Sequence, residues 1–120
     1  MKRIAVILLI KTKNPHIMTI NMQYVQMPES ESLSAIVNRN LRKLANKYQF
    51  IIRANVFFKL GNGTDGNNKI CEIQLSAPGP RIFAKSTEDN FEKAAAKTVT
   101  DLERQLRKRK EKFRDRKKTL

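Results

Sequence analysis

The chain has one cysteine, one histidine and no tryptophan. A lone thiol, Cys71, cannot staple the chain to itself, so the fold must rest on a hydrophobic core; single-cysteine usage also suits a reducing, cytoplasmic compartment. Cys71 and His16 are too few for a Cys/His zinc cluster. His-dependent acid–base schemes fall with the same count, and no convergent carboxylate pair is legible in the pattern. Long apolar runs are missing too. The longest, Ile4 to Ile10, has seven residues, whereas a spanning helix needs about 20. A signal peptide would have a longer apolar region and a small-residue cleavage site, and Asn14-Pro15-His16 is not one. The glycines offer no phosphate-binding loop, because no helix opens after Gly61-Asn-Gly-Thr-Asp-Gly-Asn-Asn68. These absences exclude a disulfide scaffold and a zinc module. They leave no expectation of an enzyme, a cofactor, a metal, a small-molecule substrate or a membrane partner.

Acidic residues are the remaining scarcity: 11 against 25 Lys and Arg in 120 residues, for a net charge of +14. Hydrophobic residues make up 40%, enough for one domain with a modest core. A basic globular domain of this kind points to a polyanionic partner. The charge is uneven. Residues 1–17 hold four bases and no acid, 18–100 eleven bases and seven acids, and 101–120 ten bases and four acids.

The first seventeen residues read as a leader. Its run Ile4–Ile10 is either an extra β-strand, being rich in Ile, Val and Leu, or part of a false start, with Met18 the natural initiator. A self-contained pattern begins at Met18, which favours the second. A membrane-surface role for this basic, apolar leader is a third functional reading. The expected organisation is a leader 1–17, a domain 18–113 and a basic tail 114–120.

From Met18 the periodicity alternates between two and 3.6. Ile20, Met22 and Tyr24 alternate with polar residues as a first strand, ended by Pro28. Ser30 or Ser32 caps a helix whose apolar stripe is Leu33, Ile36, Val37, Leu41, Leu44 and Tyr48, to about Gln49. Ala54, Val56, Phe58 and Leu60 form the inward face of a second strand. The Gly61–Asn68 stretch makes a hairpin loop, and Cys71, Ile73 and Leu75 line the return strand. Ala77-Pro78-Gly79-Pro80 turns the chain into a short fourth strand, Arg81 to Lys85. Ser86 or Thr87 caps the last helix, with Glu88 and Asp89 in its first turn. Its apolar stripe is Phe91, Ala94, Ala95, Thr98, Val99, Leu102, Leu106 and Phe113. The order is β-α-β-β-β-α. One apolar sheet face and two amphipathic helices imply an α+β two-layer sandwich, a four-stranded mixed sheet with both helices on one face. The first crossover should be right-handed between parallel strands, the rest antiparallel.

Two surfaces could meet nucleic acid. On helix one, Arg39, Lys43 and Lys47 recur every four residues beside the apolar stripe. On helix two, Lys93, Lys97, Arg104 and Lys108 form a comparable stripe, extended by Arg107-Lys-Arg-Lys110, Lys112, Arg114, Arg116, Lys117 and Lys118. Paired stripes suit phosphate binding driven by counterion release, with shape weighing more than base identity. The open sheet face is the alternative. Arg53, Phe57, Lys59, Arg81, Phe83 and Lys85 project there, and rings among bases could stack on unpaired nucleotides as in a general RNA-binding module. Against this, Phe57 and Phe83 are expected to pack on each other or beneath the leader.

From Met18 to Lys112 the sequence resembles the ribosome hibernation-promoting factor family, also called ribosome-associated inhibitor or sigma-54 modulation proteins. The likeness runs through Ser30-Glu-Ser-Leu33, Leu41-Arg-Lys-Leu44, Asn55-Val-Phe-Phe-Lys-Leu60, Glu72-Ile-Gln-Leu75 and Pro78-Gly79. It ends in Phe83-Ala-Lys85 and Asp101-Leu-Glu-Arg-Gln-Leu-Arg-Lys-Arg-Lys110. The resemblance implies a fold like that of double-stranded RNA-binding domains. It implies binding to the small ribosomal subunit and its rRNA, in the channel used by messenger and transfer RNA, with ribosomes held dormant under stress or in stationary phase. By position, Lys43, Lys47, Arg104, Lys108, Lys110 and Lys112 are its expected RNA contacts, and Lys59 and Lys85 match basic family positions. Arg39, Lys97 and Arg107 join them from the stripes. No second, dimerising domain follows helix two, so the chain looks like a short form, with no obligate homo-oligomer expected.

Overall fold

The computed structural model describes residues 18–119, with side chains as far as Asp115. Alternating burial builds four strands and helical periodicity builds two helices. They are β1 (Thr19–Tyr24), α1 (Glu31–Lys47), β2 (Arg53–Leu60), β3 (Lys69–Ser76), β4 (Ile82–Glu88) and α2 (Phe91–Thr119). The sheet order is β1-β2-β3-β4. β1 pairs parallel with β2, Ile20 opposite Ala54, and the other two pairings are antiparallel. The expected mixed sandwich is the architecture observed. Residues 1–17, including both readings of the leader, lie outside the described residues.

Ala54, Val56, Phe58, Cys71, Ile73, Leu75, Ile82 and Ala84 turn inward and are buried under Val37, Leu41, Leu44, Ala94, Ala95, Leu102 and Leu106 of the helices. Tyr24 stacks on Phe58 at 5.0 Å, and Phe58 meets Phe91 edge-on at 5.8 Å. Phe91 opens α2. Leu60, two residues beyond Phe58, therefore lies past the helical layer and is 54% exposed, against the expectation that it faces the core. The only thiol is sealed in this layer. Burial, its largest influence, pushes the Cys71 pKa up to about 12, so it stays protonated and inert at neutral pH.

Helix starts separate into one expectation met and one corrected. Ser30 caps α1, its Oγ accepting from the Leu33 N–H at 3.2 Å. At the second helix the strand wins over the cap. β4 runs on through Ser86 and Thr87, which pair with Cys71 and Ile70, to Glu88. The cap is Asn90, whose Oδ1 accepts from the Lys93 N–H at 2.8 Å. Antiparallel pairing with the full length of β3 outweighs the capping preference of two hydroxyls. Ser86 is then a buried hydroxyl on the core side, and its Oγ has no hydrogen-bond partner. At its other end α2 continues to Thr119, so the basic residues of the tail continue the helix.

These assignments give opposite signs for two substitutions in chemical denaturation. Asn90→Ala should cost about 1 kcal/mol by losing a cap. Ser86→Ala should be neutral or stabilising by up to about 1 kcal/mol, because it removes an unpaired buried hydroxyl. A loss of stability in Ser86→Ala comparable to that of Asn90→Ala would restore Ser86 as the cap.

Candidate nucleic-acid interface

The 3.6-residue period decides where each base emerges. On α1, with Val37, Leu41 and Leu44 facing down, Lys43 and Lys47 emerge on the flank turned toward α2 and Arg39 turns further to solvent. Arg42 emerges on the opposite flank, where its Nη1 donates to the Met18 carbonyl at 3.0 Å. On α2, Lys93, Lys97, Arg104 and Lys108 share the outward crest, as expected. They are not the bases that meet α1. The row facing α1 is Arg107, Lys110 and Arg114. On the far flank Gln105 donates to the Phe83 carbonyl at 2.9 Å, and Arg109 donates to the Pro78 and Pro80 carbonyls at 2.7 and 2.8 Å. Arg109 thus holds the β3–β4 turn. Gly79 has φ +98° there, a backbone conformation that a residue with a side chain adopts only under strain, which favours glycine.

The two facing rows enclose a cleft of about 320 Å³ lined by Lys47, Tyr48, Arg107, Lys110, Glu111 and Arg114. At 29 residues α2 is about 43 Å long, against about 27 Å for an eight-residue strand, so its last turns overhang the sheet. Aromatic side chains tie that overhang down. Tyr48 meets Phe50 edge-on at 6.1 Å, and Phe50 meets Phe113 at 5.1 Å and 83°. Lys47 and Lys110 each place Nζ 5.7 Å from the centroid of the buried Tyr48 ring. The negative face of that ring partly offsets the repulsion between converging cations.

Acids complete the electrostatics. Lys47 donates to Glu103 Oε2 at 2.6 Å, and Tyr48 Oη donates to the same oxygen at 3.4 Å. The Lys47 hydrogen bond is the main reason the Glu103 carboxyl titrates below its ordinary range, and Glu103 in turn raises Lys47. The pair's support of the fold is therefore fully present between the ordinary Glu and Lys values. It is lost as pH falls through the lowered Glu103 value or rises through the raised Lys47 value. Lys47 is largely solvated, so water screens the pair and its effect on stability is small.

The other expected contacts divide. Lys97 pairs with Glu88 at 3.4 Å, Arg104 with Asp101, and Lys93 with Asp89 at 3.1 Å. Among the described residues, Arg39, Lys43, Arg107, Lys108, Lys110 and Lys112 have no acid within ion-pair distance. On the open face, Lys59 and Lys85 converge on Glu72, at 2.7 and 3.8 Å. Phe57 and Phe83 do not pack together: Phe57 is opposite Glu72, Phe83 is opposite Gln74, and β3 lies between them. Phe83 stays 44% exposed.

Sequence reasoning placed Arg114 in the basic run but not among the expected RNA contacts, though it stands one and two turns beyond Lys110 and Arg107. Tyr48 reads only as a core residue, and the pairing of Glu103 across the helices has no local signal. If the aromatic clasp holds the overhang, Phe113→Ala should speed amide hydrogen exchange in the last turns of α2 while the β3–β4 core stays protected. Unchanged exchange beyond Arg107 would show that the clasp is dispensable.

No helix of the described residues is long and apolar enough to cross a membrane. No curated protein matches the chain at a significant level. Among solved structures it is similar to a ribosomal subunit interface protein from Coxiella burnetii. That match has TM-score 0.68 and 22% identity, over 78% of this chain and 98% of the other. It is also similar to the N-terminal domain of Protein Y from Thermus thermophilus, with TM-score 0.60 and 21% identity over 76% and 93% of the two chains. Identities this low speak to the fold, which is shared. The family model described as sigma 54 modulation protein / S30EA ribosomal protein matches residues 20–114, nearly the whole described domain. On that match, the chain belongs to the sigma 54 modulation protein / S30EA ribosomal protein family.

Proposed function

We propose that this protein is a non-catalytic, cytoplasmic inhibitor of translation that binds the ribosome through the cleft between α1 and α2. In this reading residues 18–113, extended by Arg114 on the same helix, are the ribosome-binding unit. The bases around the cleft lie against rRNA of the small subunit, in the channel used by messenger and transfer RNA. Occupying that channel idles ribosomes under stress or in stationary phase. Family membership and the fold shared with a protein titled a ribosomal subunit interface protein support the partner. The observation that carries the reading is the convergence of Lys47, Arg107, Lys110 and Arg114 from two helices on one cleft, with Lys43 one turn before Lys47 on α1.

The physical argument is counterion release. Each phosphate met by a base frees a condensed cation, worth a salt slope of about −0.7 on single strands and −0.9 on duplex. Arg107 and Arg114 can grip a phosphate with two parallel hydrogen bonds, whereas Lys47 and Lys110 act as point charges. A rigid sandwich holds these groups in place before binding, which reduces the entropy lost on association. The open sheet face is less suited. Glu72 already pairs with Lys59 and stands near Lys85, offsetting half of their charge, and the two exposed-face rings are separated by a strand.

Sedimentation with purified ribosomes tests this. The protein should pellet at low salt and be released as salt rises. Lys43→Glu and Arg107→Glu should weaken pelleting and flatten the salt slope by about one phosphate contact each or more, while Phe57→Ala and Phe83→Ala should change it little. Recovery of the wild-type protein in the ribosome-free fraction at low salt would defeat the proposal. A larger effect from the phenylalanine variants would move the interface to the sheet.

A further inference from the structure

A carboxylate stands at the edge of the cleft, paired with one of its cations. Glu103 stands one turn before Arg107 on the row of α2 that faces α1, and it is the only acid in contact with a cation of the cleft among the described residues. Its Oε2 accepts from Lys47 Nζ at 2.6 Å and from Tyr48 Oη at 3.4 Å. Two donors fixed by α1 therefore hold the carboxylate at the cleft's edge. The short contact is that of a charge-assisted bond, the geometry a phosphate oxygen would take on the same lysine. Arg107 lies close enough to draw the Glu103 carboxyl down further. Glu111 gives the contrast. It lines the same cleft yet contacts no cation.

We infer that Glu103 is an intramolecular competitor of phosphate, occupying Lys47 in the free protein and setting RNA affinity below what the converging cations alone would give. This rests on the proposed reading of the cleft as the RNA surface. Entry of a phosphate at Lys47 exchanges one anion for another. The bound state then holds an unpaired Glu103 beside a phosphate, which opposes binding. It also means that Lys47 contributes less net counterion release than Lys43, which starts with no acid partner.

The test is a titration of fluorescently labelled protein with purified ribosomes across a salt series. It compares wild type, Glu103→Gln, Glu111→Gln, Lys47→Ala and the double variant Lys47→Ala/Glu103→Gln. Glu103→Gln should tighten binding roughly two- to fivefold at low salt and steepen the salt slope by up to about 0.9. Glu111→Gln, with the same change in net charge, should tighten it less. In the Lys47→Ala background the gain from Glu103→Gln should fall to the level of Glu111→Gln, which places the coupling between Glu103 and Lys47. A variant that folds poorly would lose affinity, so misfolding cannot imitate the expected gain. Equal or weaker binding by Glu103→Gln, or an equal gain from Glu111→Gln, overturns the inference while wild-type binding and its loss in Lys47→Ala leave the ribosomal reading standing. Failure of the wild-type protein to bind ribosomes removes both.

Discussion

The edge-on contact between Phe50 and Phe113 ties together the parts of the molecule that matter most. Phe50 belongs to the link between α1 and β2, and Phe113 to the overhanging end of α2. The strands are too short to support the last turns of α2, which are held instead by this contact and by the hydrogen bonds of Arg109 to the β3–β4 turn. So held, Arg107, Lys110 and Arg114 are fixed against the end of α1, where Lys47 and Tyr48 wait. A basic helix that projected freely would be a solvated rod. The same helix pinned to a second one becomes a cleft of defined width.

Charge on this surface is balanced, not simply accumulated. Bases four residues apart on one helix repel by a few tenths of a kcal/mol per pair, and two such rows brought face to face repel more. The structure offsets this with one carboxylate, Glu103, and one aromatic face, Tyr48. On the opposite side of the molecule a single half-buried acid, Glu72, satisfies both Lys59 and Lys85. The two faces therefore differ in electrostatic character although both are rich in Lys and Arg. The helix side keeps uncommitted cations, and the sheet side has a carboxylate between its central pair.

The fold was largely legible because each inward position followed a clean period: Ala54, Val56 and Phe58 at two, Val37, Leu41 and Leu44 near 3.6. The hairpin loop was legible from its glycines and asparagines. Failures came where two local signals competed. Ser86 and Thr87 look like caps, but β3 is long enough to pair with them, and strand pairing is a non-local fact. Leu60 obeys the period yet lies beyond the helices that would cover it. For the cleft, helical spacing named Lys47, Arg107 and Lys110 but not the row that Arg107 and Lys110 share. Whether Lys108 or Lys110 faces α1 depends on how α2 is rotated over the sheet, and that rotation is set by Leu102, Leu106 and Phe113 acting together. Acid partners such as Glu103 for Lys47, distant in sequence, leave no pattern to read.

Imaging the protein on the ribosome at side-chain resolution tests the central claim most directly. The account predicts rRNA phosphate oxygens within hydrogen-bond distance of Lys47, Arg107, Lys110 and Arg114, with Phe57 and Phe83 away from any base. Bases stacked on those two phenylalanines, with the α1–α2 cleft open to solvent, would contradict it.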